Sequence, residues 1–357
     1  MAKVIVGMSG GVDSAVAAYL LKSEGYDVIG VTLRTWEAGD GRENRCCEID
    51  DARSVAWKLG IPYYALNCAD DFRKRVTEYF TDSYIRGLTP NPCVECNRYV
   101  KWDRMLYYAK VFGAEYIATG HYASVVKLEN GRYTVKRALH SEKDQTYMLY
   151  KLTQEQLSRT LFPLGQLSKA EVRATADGAG LPVAVKPDSQ EICFVPDGDY
   201  TDYIISNCPE EISGGGDFVD EQGNILGKHR GIIHYTVGQR KGLGIALGYP
   251  AYVKLIRADT NEVVLGPEES LYSDSLICSD VNYMSIPALP PGEKLRCRVK
   301  IRYRHPAQDA VVEGAGNGTV KVTFDRPVRA AAPGQSAVFY DSDECVIGGG
   351  IIAPFSK

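Results

Sequence analysis

The chain has 357 residues, of which 45% are hydrophobic and 24% charged, and its formal net charge at neutral pH is −4. That length predicts two or three domains with a substantial core, and the mild negative charge argues against a protein that coats nucleic acid, while leaving room for a local basic stripe. No apolar run approaches the roughly 20 residues that a bilayer span needs, and the stretch from Met1 to Gly11 lacks the order of a signal peptide, so the expectation is a cytoplasmic protein with no membrane partner.

Lys3 to Met8 reads as a short apolar strand, and Asp13 to Glu24 as a helix with Val16, Leu20 and Leu21 on one face. Val28 to Leu33 is the next strand, followed by a helix over 52–59, a strand over 63–66, helices over 71–86 and 101–112, and a strand over 116–119. Helical spacing returns at 153–158 and 169–179. Alternation of this kind predicts a doubly wound parallel sheet with helices on both faces. From about Gly214 the chain becomes rich in Gly, Val, Ile and Tyr, with turn signals at the roughly 8–12-residue spacing of all-β domains. The run Ser213-Gly214-Gly215-Gly216-Asp217 reads as a linker, and a second, weaker boundary falls near Ser275 to Cys278.

The strongest local signal is Ser9-Gly10-Gly11-Val12-Asp13-Ser14, between the first strand and the first helix. Two glycines let the backbone approach a ligand. The N–H groups of the loop and helix start form a pocket for phosphate, and Ser9 and Ser14 add hydroxyl donors. No Gly-Lys-Ser/Thr follows, so this is not a Walker loop. A plain strand-to-helix turn is the alternative, and the six-residue string in this position weighs against it. The string resembles the pyrophosphatase loop of adenine nucleotide α-hydrolase-like enzymes. These activate a substrate oxygen with AMP, and among them are small-molecule synthetases as well as RNA thiolases.

Ten cysteines in a chain expected to be cytosolic point to catalysis, metal binding or core packing before disulfides. Two stretches carry the information: Thr89-Pro90-Asn91-Pro92-Cys93-Val94-Glu95-Cys96-Asn97 and Asp188-Ser189-Gln190-Glu191-Ile192-Cys193-Phe194. A structural zinc site would need a second Cys-x-x-Cys pair, which the sequence lacks, and Cys46-Cys47 are adjacent, a poor geometry for one tetrahedral ion. Cys68, Cys208, Cys278, Cys297 and Cys345 sit in apolar or strand contexts and read as core. With the loop, the two stretches closely resemble the bacterial tRNA-specific 2-thiouridylases. Ala118-Thr119-Gly120-His121-Tyr122-Ala123, Lys143-Asp144-Gln145-Thr146-Tyr147, Thr236-Val237-Gly238-Gln239-Arg240-Lys241-Gly242 and Arg302-Tyr303 match in the same order, across nearly the whole chain.

The resemblance implies an ATP domain over 1–205, a small central β-rich domain over 206–276 and a C-terminal β-barrel over 277–357. It implies ATP-dependent 2-thiolation of uridine 34 in the anticodon loop of lysine, glutamate and glutamine tRNAs. Thiolation needs a leaving group on C2, a sulfur donor and a way to release the sulfur. Adenylation supplies the first; two thiols on separate loops of the ATP domain, one with thiolate character, supply the others. By resemblance Cys193 carries a persulfide, Cys96 is its partner, and the two form a transient disulfide. Some relatives carry Asp where this chain has Cys93. An alternative therefore stays open, in which Cys93, Cys96 and Cys193 hold a [4Fe–4S] cluster whose open iron binds hydrosulfide.

The same resemblance assigns ATP to Gly7, Met8, Ser9, Gly10, Gly11, Val12, Asp13, Ser14, Leu33 and Gly120. It assigns the target base to Asn91, Pro92 and Cys93, and RNA to His121, Lys143, Asp144, Gln145, Arg302, Tyr303 and Gln335. Mg²⁺ should accompany ATP, and a sulfur-relay protein or cysteine desulfurase should load the sulfur. Independently, Lys294, Arg296, Arg298, Lys300, Arg302 and Arg304 alternate with Leu295, Cys297, Val299, Ile301 and Tyr303. On a strand this puts the basic residues on one face, which reads as a phosphate track. The rival readings are a small-molecule synthetase, which explains the loop but not the cysteine motifs, and a non-catalytic, redox-switched RNA-binding protein, which needs no nucleotide.

Overall fold

The computed structural model describes residues 1–36, 48–187, 192–195 and 199–355. In chain order the first part runs β1 (Lys3–Gly7), α1 (Val12–Ser23), β2 (Asp27–Arg34), α2 (Ile49–Leu59), β3 (Tyr63–Asn67), α3 (Ala69–Phe72), α4 (Glu78–Ile85), α5 (Pro92–Glu95) and α6 (Asp103–Phe112). It continues with β4 (Tyr116–Thr119), a hairpin of β5 (Ala123–Lys127) and β6 (Tyr133–Arg137), α7 (Gln154–Ser158), β7 (Thr160–Leu161), α8 (Lys169–Gly178) and α9 (Tyr200–Asn207). The main sheet is parallel throughout, in the order β3-β2-β1-β4-β7. Val4, Ile5 and Val6 of central β1 are fully buried, as a strand covered on both faces requires. One face packs on α1, α2 and α8 through Val16, Val55 and Val172, the other on Met105 and Ala109 of α6 and on Trp102 just before it. The sheet order reverses between β1 and β4, so the crevice at their carboxyl ends is where ligands bind in such sheets. The Ser9–Ser14 loop leaves β1 at that point.

The central sheet has the order β10-β11-β8-β9, from β8 (Gly216–Val219), β9 (Ile225–His229), β10 (Tyr252–Arg257) and β11 (Glu262–Gly266). The C-terminal part is a closed barrel of β12 (Tyr272–Tyr283), β13 (Lys294–Lys300), β14 (Gln308–Gly316), β15 (Thr319–Arg329), β16 (Ser336–Tyr340) and β17 (Val346–Ile352). The doubly wound sheet, the β-rich middle and the barrel are as expected. The barrel does not stand alone: Met284, Val338, Tyr340 and Val346 share one apolar cluster with Ile5, Trp102 and Tyr147 of the α/β part.

Three details depart from the sequence reading. The helix expected from residue 101 starts at Pro92, and α5 and α6 are joined by a π-helical stretch, Cys96–Trp102. Cys93 and Cys96 therefore lie on a helix and not on a loop, because Asn91 caps it by accepting from the Cys93 N–H at 3.2 Å and Pro92 occupies N1. The weaker boundary at Ser275 to Cys278 falls inside β12, an unbroken strand of the barrel. Residue 205, the expected end of the first domain, lies within α9. No helix among the described residues is long and apolar enough to cross a membrane.

Candidate active site

The first helix starts on Gly11, which supplies no side-chain cap, so its N-terminal N–H groups face the crevice without a cap from the chain. Gly10 has a φ of 81°, and a Cβ there would lie 2.6 Å from the Glu48 carbonyl oxygen. Ser14 Oγ receives the Ser9 N–H at 3.1 Å and donates to the Gly11 carbonyl at 3.1 Å, which closes the loop on itself. Gly120, at the end of β4, packs onto the same turn: a Cβ would come within 2.6 Å of the Asp13 backbone. Asp13 does not point freely into solvent. Its Oδ1 accepts from Tyr122 Oη at 2.7 Å and from Lys169 Nζ at 2.7 Å. Lys186 Nζ reaches the Gly10 carbonyl at 3.3 Å and pairs with Glu48 and Asp51.

Cys96 is buried and Cys193 half-buried, and both belong to one apolar cluster with Cys68, Phe72, Phe80 and Phe194, against which Leu33 also packs. Two thiols far apart in sequence thus belong to one cluster that also packs on Leu33 of β2. Cys93, three residues before Cys96, is exposed. Cys68 in the same cluster is a poor nucleophile, since burial pushes its thiol up to about 11. Cys278, Cys297 and Cys345 are buried, as expected, while Cys208 is only half-buried. Cys46, Cys47 and the Asp188–Glu191 part of the second motif lie outside the described residues.

The residues expected to touch RNA divide into two sets. Tyr303 is half-buried, its ring centroid is 6.1 Å from that of Tyr147, and it lies within electrostatic reach of Cys93. Lys300 Nζ stands 5.4 Å from the Tyr303 ring centroid, and burial lowers the pKa of this lysine. Arg302 is half-buried and donates to the Arg329 carbonyl at 3.2 Å. Gln335 donates to the Thr89 carbonyl at 2.9 Å and to that of Pro90 at 3.3 Å, directly ahead of Asn91. The second set holds the protein together in this state. Asp144 is 4% exposed and its carboxylate accepts from Thr146 Oγ1 at 2.9 Å. Gln145 Oε1 accepts the Tyr122 N–H at 2.9 Å. His121 shares a hydrogen bond with Thr119 Oγ1 at 2.8 Å beside the Trp102 ring. Burial, with Lys101 next, pushes its pKa down to about 3, so the ring is neutral at physiological pH. Lys143 closes the short turn Ser141–Lys143.

The expected phosphate track is shorter than the sequence pattern. In β13, Lys294 pairs with Glu313 at 3.5 Å, Arg296 with Asp325 and Arg298 with Glu344. Glu313 comes from β14, Asp325 from β15 and Glu344 from the turn ahead of β17, which no reading along one strand can see. Lys300, Arg302 and Arg304 remain as the basic group around Tyr303, on the side of Cys93.

Sequence reasoning missed Lys169, Lys186 and Tyr122 at the loop, and Lys151 behind the cysteine helix. A signal for Lys169 was present: Ser168 and Glu171 form a capping box, and a lysine at the first helical position opposes the helix dipole. Cys93, Cys96 and Cys193 are not gathered as a ligand set. Cys93 faces solvent while Cys96 is buried, and no group of three His, Cys, Asp or Glu side chains among the described residues could hold a metal ion. A three-cysteine cluster does not fit this arrangement.

A sequence profile described as a tRNA methyl transferase HUP domain matches residues 2–197, and others described as a tRNA methyl transferase PRC-barrel domain and an aminomethyltransferase beta-barrel domain match residues 203–267 and 273–352. The tRNA-specific 2-thiouridylase MnmA of Acetivibrio thermocellus is 56% identical over 98% of this chain and 99% of its own length. That of Lachnoclostridium phytofermentans is 52% identical over 99% of both. Among solved structures, the U34-tRNA thiolase NcsA of Methanococcus maripaludis with its [4Fe-4S] cluster is 21% identical and covers 59% of this chain and 67% of its own, with a TM-score of 0.37; a likeness that remote carries no argument about cofactor or mechanism.

Proposed function

The chain belongs to the tRNA-specific 2-thiouridylase family, and from that premise we propose that it adenylates O2 of uridine 34 at the Ser9–Ser14 loop and delivers sulfur through Cys193 and Cys96. As an enzyme it is a tRNA sulfurtransferase. The observation that supports the finer reading is that Cys96 and Cys193 belong to one cluster that also packs on Leu33.

The uracil O2 attacks the α-phosphorus of ATP, and pyrophosphate leaves. The uncapped start of α1 and the loop N–H groups stabilise the phosphates, and Mg²⁺ bound with the nucleotide would neutralise their charge. Lys169 and Tyr122 fix Asp13 within the loop. Cys193 carries a terminal sulfur as a persulfide. The Cys96 thiolate attacks Sγ of Cys193; the bond to the terminal sulfur breaks, and its electron pair leaves as hydrosulfide. Hydrosulfide adds at C2 and displaces AMP, which leaves 2-thiouridine and a Cys96–Cys193 disulfide. A dithiol reductant resets the disulfide. Asn91, Pro92 and Cys93 line the base, while Arg302, Tyr303 and Gln335 hold the loop of a lysine, glutamate or glutamine tRNA on the barrel side. His121 supplies a neutral hydrogen-bonding edge. Lys143 contacts RNA, and the buried Asp144 and half-buried Gln145 hold the turn that presents it. A relay protein or desulfurase in the cytoplasm reloads Cys193.

The test is anaerobic purification with iron and sulfide analysis, then thiolation of a tRNA transcript with ATP, Mg²⁺ and a small persulfide donor. Iron-free protein should thiolate, and Cys96→Ala and Cys193→Ala should each lose the activity. Normal 2-thiouridine from either variant would remove that cysteine from the scheme. About four irons per chain, lost in Cys93→Ala, would replace the persulfide with a cluster.

A further inference from the structure

The helix that carries Cys93 and Cys96 is tied to two other parts of the molecule by an ion bridge whose Lys151 and Glu95 are buried and whose Asp280 side chain is 62% exposed. The Lys151 side chain is 6% exposed, and its Nζ lies 2.7 Å from Glu95 Oε1 and 2.7 Å from Asp280 Oδ2. Glu95 is the residue before Cys96, and its side chain is 9% exposed. Asp280 belongs to β12 of the barrel. None of the three residues has a role in the reaction scheme.

The surroundings are shaped to make this bridge. Asp280 has a φ of 50°, an unfavourable backbone for a residue with a Cβ, and sits where the register of β12 on β17 shifts between Ser279 and Asn282. An irregularity of that kind re-aims a side chain; here the carboxylate is turned toward Lys151. Asn282 donates to the carbonyls on either side of Lys151, those of Tyr150 at 2.6 Å and Leu152 at 3.3 Å. Burial opposes the charge of Lys151, but Tyr150, Glu95 and Asp280 outweigh it and raise its pKa, so the ammonium persists. Buried ion pairs contribute little net stability compared with apolar packing. What this one supplies is a fixed direction and distance between the thiol helix and the barrel.

We propose that Lys151 is a positioning residue that sets the Cys93–Cys96 turn against the barrel face bearing Arg302 and Tyr303. RNA seated on the barrel then meets the thiols at a defined separation. Reacting atoms must come within about 3–3.5 Å, and a misplacement of about 1 Å can cost on the order of a hundredfold in rate. The inference rests on the reading of Cys96 as a reacting thiol.

The experiment compares the full-length wild type with Lys151→Met, Lys151→Arg and Asp280→Asn, using a tRNA transcript with uridine 34, ATP, Mg²⁺ and a small persulfide donor. Lys151→Met and Asp280→Asn should lower the single-turnover thiolation rate at saturating RNA roughly tenfold or more. The RNA concentration for half-saturation should stay within about twofold, and Lys151→Arg should recover most of the rate. In the absence of RNA and ATP, alkylation of Cys96 by iodoacetamide, read by peptide mass spectrometry, should change in the same two variants. Wild-type rate and alkylation in Asp280→Asn would overturn the proposal, and so would a loss confined to RNA half-saturation. If Lys151→Met does not fold, Asp280→Asn, which leaves the Lys151–Glu95 contact in place, decides alone. Altered alkylation together with full thiolation by Cys96→Ala would uphold the bridge and remove Cys96 as the nucleophile, which separates the two failures.

Discussion

A side chain at Gly10 is penalised twice: its φ of 81° is unfavourable for any residue with a Cβ, and that Cβ would lie 2.6 Å from the Glu48 carbonyl oxygen. The same close approach lets the loop backbone come up to a phosphate. Gly10→Ala should therefore cost about 1–2 kcal/mol of stability from the backbone alone, and should weaken ATP binding at least about tenfold, that is, by about 1.4 kcal/mol. Calorimetric titration with ATP and Mg²⁺ measures the second effect; wild-type affinity would contradict a backbone-lined phosphate site. The glycines and Ser14 were legible in the sequence because a strand–Gly-Gly–helix string has a local cause. Lys169 and Tyr122, which fix Asp13 at 2.7 Å each, come from distant elements and left only the faint mark of a lysine at a helix start.

At the scale of elements, the helix from Pro92 to Phe112 and strand β13 show how local patterns mislead. Asn91-Pro92 is a helix start by its chemistry, an amide cap followed by proline at N1, yet the cysteine motif they open reads as a loop when no helical periodicity is seen across Cys96–Trp102. That stretch is π-helical, so its apolar positions depart from the α-helical period; such turns occur often at functional sites. In β13 the alternation of basic and apolar residues is that of a strand, and Cys297 and Val299 are buried as it requires. The charges of Lys294, Arg296 and Arg298 are matched by acids from neighbouring parts of the barrel, and surface pairs of this kind hold little net energy but cancel the field that would attract phosphate. Arg302→Ala should weaken tRNA binding and reduce its salt dependence by about one in log–log slope, whereas Arg296→Ala should leave both nearly unchanged. Filter binding across a salt series tests this, and equal slopes for the two variants would restore the longer track.

For the whole molecule, the barrel and the α/β part behave as one packing unit. Tyr147 Oη donates to the Ser336 carbonyl at 2.8 Å, Gly349 comes so near the Tyr150 ring that a Cβ would lie 2.7 Å from it, and Gln335 holds the strand of chain before the cysteine helix. Tyr147 and Tyr150 are fully buried. A chain ended at Leu271 would expose both rings and the Lys151 ammonium, and should be recovered as aggregate, or unfold in urea well below the midpoint of the intact chain. A soluble fragment with the intact midpoint would show that the two parts are independent. If they act as one unit, RNA held on the barrel has a short, stiff path to Cys96.

The sequence by itself determined the parallel sheet, the phosphate loop and the two cysteine motifs, because each is written in a short window: an apolar strand, a pair of glycines, a thiol with its flanking residues. The all-β texture of the second half was also local, carried by turn residues and alternation. Which of those thiols is buried, which is exposed and which share a cluster was decided only by the tertiary structure, since Cys96 and Cys193 belong to one cluster through the packing of Phe72, Phe80 and Phe194. The pairing of the basic strand, the burial of Asp144 and the bridge from Glu95 through Lys151 to Asp280 were decided in the same way. A charge in a sequence has no partner until the fold brings one from a distant element.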